Sequence, residues 1–203
     1  AVIYKGLHEG ITPEQFAEHI KTGEVVNDLI AVPARPGDCH YLPSGTCHAL
    51  GAGIVVAEVQ TPSDTTFRVY DWGRTDRELH IEQALQCIHF GPPPEPPRRK
   101  RPVELEHTTS TPLLATEYFE IERIDVRKQT RLPVVPASDQ PEVWMVLEGS
   151  GAIESTGIRE PVALQAGTTV LLPAGIQEAH STLSPGTTFL RVTLPSPIRH
   201  MLA

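Results

Sequence analysis

The sequence predicts an all-β protein of two tandem short-stranded domains, with a few short helices in the first. Three observations predict it. The 203 residues include 20 prolines and 15 glycines spread along the chain, a composition that favours short strands and tight turns over long helices. A Gly-x5-Pro-x-Gly frame at Gly37, Pro43 and Gly45 returns 130 positions later at Gly167, Pro173 and Gly175, as a duplicated domain would make it do. Between the copies runs Gly91-Pro92-Pro93-Pro94-Glu95-Pro96-Pro97, and proline at that density prefers extended polyproline II and builds no core. The expected organisation is a first domain over 1–91, a linker over 92–102 and a second domain over 103–203.

In chain order, Ala1 to Tyr4 reads as the end of a strand. Thr12-Pro13-Glu14-Gln15 starts a helix, with Thr as N-cap, Pro in the first turn and Gln completing a capping box. Phe16 and Ile20 share one face of it, and Gly23 ends it. Leu29 to Val32 is a strand, and Pro36-Gly37 turns the chain. Tyr41-Leu42 is a brief strand-like run, Pro43-Ser44-Gly45 turns again, and His48 follows where a rigid turn can aim its imidazole. Ala49-Leu50 and Ile54 to Gln60 read as strands. The second of these has a face that passes from Ile54 and Val56 to Glu58 and Gln60, either entering a polar cavity or meeting solvent. Thr66 to Tyr70 is strand-like, and Arg68 lies opposite Phe67 and Val69, so it needs a partner if buried. Glu78 to Ile88 is a second helix. The run Arg98 to Arg101 reads as a solvated spacer, with phosphate binding as the other possibility. From Pro112 onward the pattern is strand and turn, with alternation over Tyr118 to Val126, Val143 to Leu147 and Thr187 to Leu194. This suggests a jelly roll or small barrel.

The formal charge of −8 argues against a nucleic-acid binder, which needs basic surface to displace counterions. No apolar run approaches the ~20 residues of a membrane span, and no signal peptide is visible. Three cysteines, Cys39, Cys47 and Cys87, are an odd number without a CxxC pair, which points to a reduced, cytoplasmic setting. Because the chain begins Ala1-Val2-Ile3-Tyr4, in strand-like sequence and without Met, a fragment or a cleaved chain is expected.

Tyr41-Leu42-Pro43-Ser44-Gly45-Thr46-Cys47-His48-Ala49, with Glu58 and then Ser63-Asp64-Thr65-Thr66-Phe67-Arg68-Val69-Tyr70-Asp71, resembles the short bacterial class of mannose-6-phosphate isomerases. The frame Gly37-x5-Pro43-x-Gly45-x2-His48 is similar to the second motif of cupin barrels. The likeness runs from the first helix to about Ile88, and the second half is similar, more loosely, to the C-terminal cupin of those enzymes. It implies two cupin domains and an aldose-ketose isomerase of mannose 6-phosphate and fructose 6-phosphate that works through a zinc-assisted enediol. His48 matches a zinc ligand, and Arg68 matches an active-site arginine. Glu58 and Asp64 match acidic positions near the same pocket, as substrate contacts or proton shuttles. The remaining metal ligands are expected upstream of residue 1. The second copy has Glu178 in place of His48, so that domain is expected to carry no metal.

The chemistry suits these residue types. Neutral imidazole binds zinc, and a catalytic zinc usually takes about three protein ligands. A guanidinium can stabilise an oxyanion or grip a phosphate. Each residue also has a plainer reading: Asp64 as a turn cap, His40 as a structural residue, Cys39 and Cys47 as packing residues rather than thiolate ligands beside His48. The other expected activity class is a non-catalytic bicupin that binds a sugar phosphate. Oligomeric state is left open.

Overall fold

The structure is a computed structural model that describes residues 1–63, 65–95, 101–134, 140–176 and 178–195. It divides into two units, Ala1–Pro96 and Pro97–Ala203. In the first, strands β1 (Val2–Leu7), β2 (Leu29–Pro33) and β3 (His48–Leu50) form one antiparallel sheet in the order β2-β1-β3. Helix α1 (Pro13–Thr22) has the predicted start: Thr12 Oγ1 accepts from Gln15 N, and the Gln15 side chain accepts from Thr12 N. Gly23 closes it in the left-handed region at φ 80°, as expected where a side chain would be strained. Phe16 and Ile20 pack with Leu7, Val25 and Leu29 in the core of this unit. A 3-10 turn over Val25–Asp28 leads into β2. The second helix, α2 (Ile81–Cys87), is shorter than the predicted Glu78 to Ile88.

Three predicted strand-like stretches of this unit are not strands. Residues 54–60 run outside any ladder, with Val55 99% exposed. Thr66 to Tyr70 is likewise irregular, and so is Tyr41-Leu42. β-Branched and aromatic residues fit a pleated surface, but a strand exists only where a neighbour completes its hydrogen bonds. Among the described residues no neighbour does so here.

The second unit is a two-sheet jelly roll. Its strands are β4 (Val103–Glu104), β5 (Thr108–Ala115), β6 (Glu120–Val126), β7 (Thr130–Pro133), β8 (Glu142–Glu148), β9 (Ser150–Ser155), β10 (Val162–Gln165), β11 (Thr169–Leu172), β12 (Ala179–Leu183) and β13 (Thr188–Thr193). A six-stranded sheet, β11-β8-β13-β6-β5-β4, faces a four-stranded one, β10-β9-β12-β7. Between them lie Ile124, Val126, Trp144, Val146, Ile153, Leu164, Leu183 and Phe189. Trp144 packs on Phe189 with ring centroids 4.5 Å apart. No helix among the described residues is long and apolar enough to cross a membrane.

The internal repeat is legible in the backbone. Asp38 N donates to Arg35 O at 3.1 Å and Thr168 N to Gln165 O at 2.9 Å; Thr46 N donates to Pro43 O at 3.0 Å and Ile176 N to Pro173 O at 3.1 Å. Both turns thus return 130 residues on with the same closing bonds.

Two contacts in the second unit make testable claims. A Cβ on Gly149 would meet Thr187 Cα at 2.5 Å, and its φ of 81° strains any L side chain. Thr187 cannot yield, because its buried hydroxyl bridges Ser150 O and N. Gly149→Ala is expected to lower unfolding stability by about 2 kcal/mol or more in denaturant titration. Glu142 is 6% exposed. Burial raises its carboxyl above the usual 4.5 and Glu122 adds to this, while the Trp144 indole and Arg191 oppose it. A carboxyl whose pKa is higher folded than unfolded binds its proton more tightly in the native state, so stability falls as pH climbs from 4.5 through the native pKa. Glu142→Gln keeps an acceptor for Trp144 and is expected to raise the melting temperature at neutral pH and flatten that slope in thermal unfolding across pH.

Candidate functional site

His48 opens β3 directly opposite Lys5 of β1. Its place is set by the preceding turn, where Gly45 sits at φ 82°, a conformation open to glycine without strain. Gly45 is also where the chain passes close to α2. A Cβ there would lie 2.6 Å from the Cys87 carbonyl oxygen, and the Gly45 carbonyl accepts from His89 N at 2.9 Å. The turn is therefore fastened to the C-terminal end of α2.

The imidazole of His48 is exposed, and its Nδ1 lies 2.8 Å from the Thr46 carbonyl oxygen. A carbonyl can only accept, so Nδ1 carries the hydrogen and Nε2 of the neutral ring holds the lone pair. That is the arrangement a metal-binding imidazole needs: one nitrogen oriented by the backbone, the other free to ligate. The described residues contain no group of three or more His, Cys, Asp or Glu placed to hold a metal ion. His48 fits one place in a zinc shell, and the rest of such a shell is not assembled among them.

Arg68 is half-buried, and its backbone is fixed from α2's other end. Its carbonyl accepts from His80 N at 2.7 Å, and its own N–H approaches His80 Nδ1 at 3.5 Å. The guanidinium makes no ion pair among the described residues, unlike its neighbours. Arg74 bonds Asp71 Oδ1 at 2.6 Å, and Arg77 Nε lies 3.8 Å from Asp71 Oδ2, which has no hydrogen-bond donor. Asp71 is buried, so this knot holds the loop after Arg68 while leaving the Arg68 charge uncommitted. The strand argument that set Arg68 against Phe67 and Val69 does not apply, because the segment is not a strand.

Glu58 lies exposed in the irregular stretch, with no hydrogen bond or ion pair to His48 or Arg68. Asp64 falls outside the described residues. Cys47 packs against the first core, and burial pushes its thiol up to about 11. A thiol so protonated at neutral pH behaves as a packing residue. His40 Nε2 is buried and 3.9 Å from Asp38. Sequence reasoning missed Lys5, whose ammonium burial lowers while nearby Cys39 partly offsets it. It missed the Asp71 knot too, although an Asp-Trp-Gly-Arg turn with charges at i and i+3 was there to be read.

No family profile matches the chain. Among curated proteins, mannose-6-phosphate isomerase of Streptococcus mutans is 34% identical over 179 residues, 84% of this chain and 53% of that protein. A Bacillus subtilis mannose-6-phosphate isomerase is 33% identical over the same share of this chain and 54% of its own. The chain is a homologue of mannose-6-phosphate isomerases. It spans about half the length of the curated relatives it matches. The crystal structure of the Bacillus subtilis mannose-6-phosphate isomerase superposes with a TM-score of 0.78 at 28% identity, over 95% of this chain and 60% of that one. A solved structure from Archaeoglobus fulgidus gives 0.63 at 16% identity over 96% of this chain and 58% of that one, a likeness of fold alone.

The Gly45 contact yields a prediction. Gly45→Ala drives a methyl into the Cys87 carbonyl at a strained φ and should break the bond to His89. The expected loss is about 2 kcal/mol or more of first-unit stability, read by Trp72 fluorescence during denaturant unfolding.

Proposed function

We propose that this chain contributes to a zinc-dependent isomerase site that interconverts mannose 6-phosphate and fructose 6-phosphate. The observation that carries the reading is the His48 hydrogen bond to the Thr46 carbonyl, which leaves Nε2 as an outward lone pair. His48 supplies one zinc ligand. Zinc, when bound, polarises sugar oxygens and stabilises negative charge developing on them.

Aldose-ketose conversion moves a proton between C1 and C2 and leaves an oxyanion in passing. The Arg68 guanidinium, permanently charged and without an ion-pair partner among the described residues, holds that oxyanion or the substrate phosphate. Glu58 and Asp64 are the proposed carriers of protons between substrate oxygens or the residues that orient Arg68. A sugar-phosphate-binding module without turnover is the second reading, favoured by the absence of three converging ligands among the described residues.

Removing metal with a chelator is expected to abolish isomerase activity, and added zinc to restore it; activity indifferent to chelator would rule out the metal role. His48→Ala should lose zinc by metal analysis. Arg68→Ala should keep zinc and lose roughly 100-fold or more in turnover. A loss confined to kcat marks the oxyanion role. A rise in KM that a substrate lacking phosphate escapes marks the phosphate role. Saturable binding of mannose 6-phosphate with no turnover in any metal condition would establish the module reading.

A further inference from the structure

The interior of the second unit is divided in two. Along β6 the inward side chains are Glu120, Glu122, Ile124 and Val126, and the last two belong to the core. Cross-strand register extends the division over the sheet. Glu142 of β8 stands beside Thr193 of β13, which stands beside Glu120; in the next row, Trp144 stands beside Arg191, which stands beside Glu122. Directly opposed residues on paired strands point to one face. Since Trp144, Val146 and Ile124 line the core, Glu142, Arg191, Glu122, Thr193 and Glu120 face inward with them. One end of the barrel interior is apolar and closed. The other end is polar, and it is open: the side chains of Arg191 and Glu122 are 40% and 29% exposed although they face inward.

The Arg191 guanidinium pairs with Glu122. Glu142, however, is nine-tenths buried, and its hydrogen-bond donor among the described residues is the Trp144 indole N–H at 2.6 Å. A carboxylate has about four acceptor sites, and Glu142 Oε2 is not among the buried side-chain atoms sealed without a partner, so it keeps acceptor capacity that a ligand hydroxyl can use. Polar groups that converge in the mouth of a barrel over an aromatic floor are a common form of ligand site.

The chemistry of this mouth selects its ligand. Three carboxylates against one guanidinium repel phosphate, and no three of these groups converge closely enough to hold a metal ion. Carboxylates accept from hydroxyls, while Arg191 and Thr193 donate to oxygens. Trp144, packed on Phe189, is buried in the core next to these groups and holds Glu142 through its indole N–H. We propose that the polar end of the second unit's interior, formed by Glu142, Glu122, Arg191 and Thr193 beside Trp144, is a binding site for an uncharged hexose or polyol. It is built from residues of the second unit alone and is independent of the isomerase reading.

Isothermal titration of the full chain with mannose, mannitol, glucosamine and mannose 6-phosphate tests it. Mannose or mannitol should bind saturably and raise the melting temperature of the second unit, and mannose 6-phosphate should bind there at least roughly tenfold more weakly. A His48→Ala/Arg68→Ala double variant should retain the neutral-sugar signal. Glu142→Gln and Arg191→Met should each weaken it by roughly tenfold or more, the loss of one hydrogen bond to a charged group. Both variants should still melt cooperatively, Glu142→Gln above the parent. The proposal is overturned if neither neutral sugar binds, if only glucosamine binds, or if the signal vanishes in the double variant. It is equally overturned if folded Glu142→Gln and Arg191→Met bind like the parent.

Discussion

The first unit depends on the close passage of Gly45 against the last turn of α2. The Cys87 carbonyl occupies the space where any side chain at 45 would stand, and His89 N closes the contact. At its other end the same helix is preceded by His80, whose N–H holds the Arg68 carbonyl. A helix of seven residues is about 10 Å long. It therefore joins the backbone contact at Gly45, in the turn before His48, to the one at Arg68. Neither residue sits in a long strand or helix of its own, so a short strut does for them what a regular scaffold does in other sites.

The duplicated turns show which parts of the motif are architecture and which are chemistry. Both copies keep the Gly-x5-Pro-x-Gly frame and the two hydrogen bonds that close the turns. They differ in where the strained backbone falls. In the first copy Gly45 takes the positive φ and His48 follows it; in the second, Gly175 does not, and Glu178, the counterpart of His48, takes φ 49° itself. A non-glycine residue in the left-handed region is strained, so that position no longer presents a side chain as the first copy presents His48. The turn recurs without the histidine because the bonds that close it run between backbone groups and need no particular side chain.

Local chemistry was legible wherever its partners were close in sequence. The cap, capping box, paired apolar residues and terminal glycine of α1 all lie within twelve residues, Thr12 to Gly23, and the turns are closed by bonds between residues three apart. The strands of the second unit were legible because their alternation matches a two-sided environment. Ile54 to Gln60 carries the same alternation without a ladder, and periodicity alone cannot tell a paired strand from an unpaired one. The candidate site rests on a motif, with His48 and Arg68 singled out by their surroundings in sequence. What could not be read were the tertiary choices: the tautomer of His48, set by a carbonyl two residues back, and the absence of an ion pair at Arg68 while Arg74 and Arg77 share Asp71.

The charged rows inside the second unit were missed for a related reason. Alternation assigns a side chain to a face, but says nothing of how far along the barrel that face stays dry. Glu122 and Ile124 are two residues apart on one face of β6, yet one ends half-buried at the mouth and the other in the core. Position along the barrel axis comes from the register of β6, β13 and β8, whose partners are separated by up to about 70 residues. That same register removes the simplest account of Glu142. It is flanked by Leu172 on β11 and Thr193 on β13, where an apolar residue would pack without desolvating a charge. A carboxylate at such a place lowers the stability of the empty protein, and a ligand that binds the native state and donates to it recovers part of that loss.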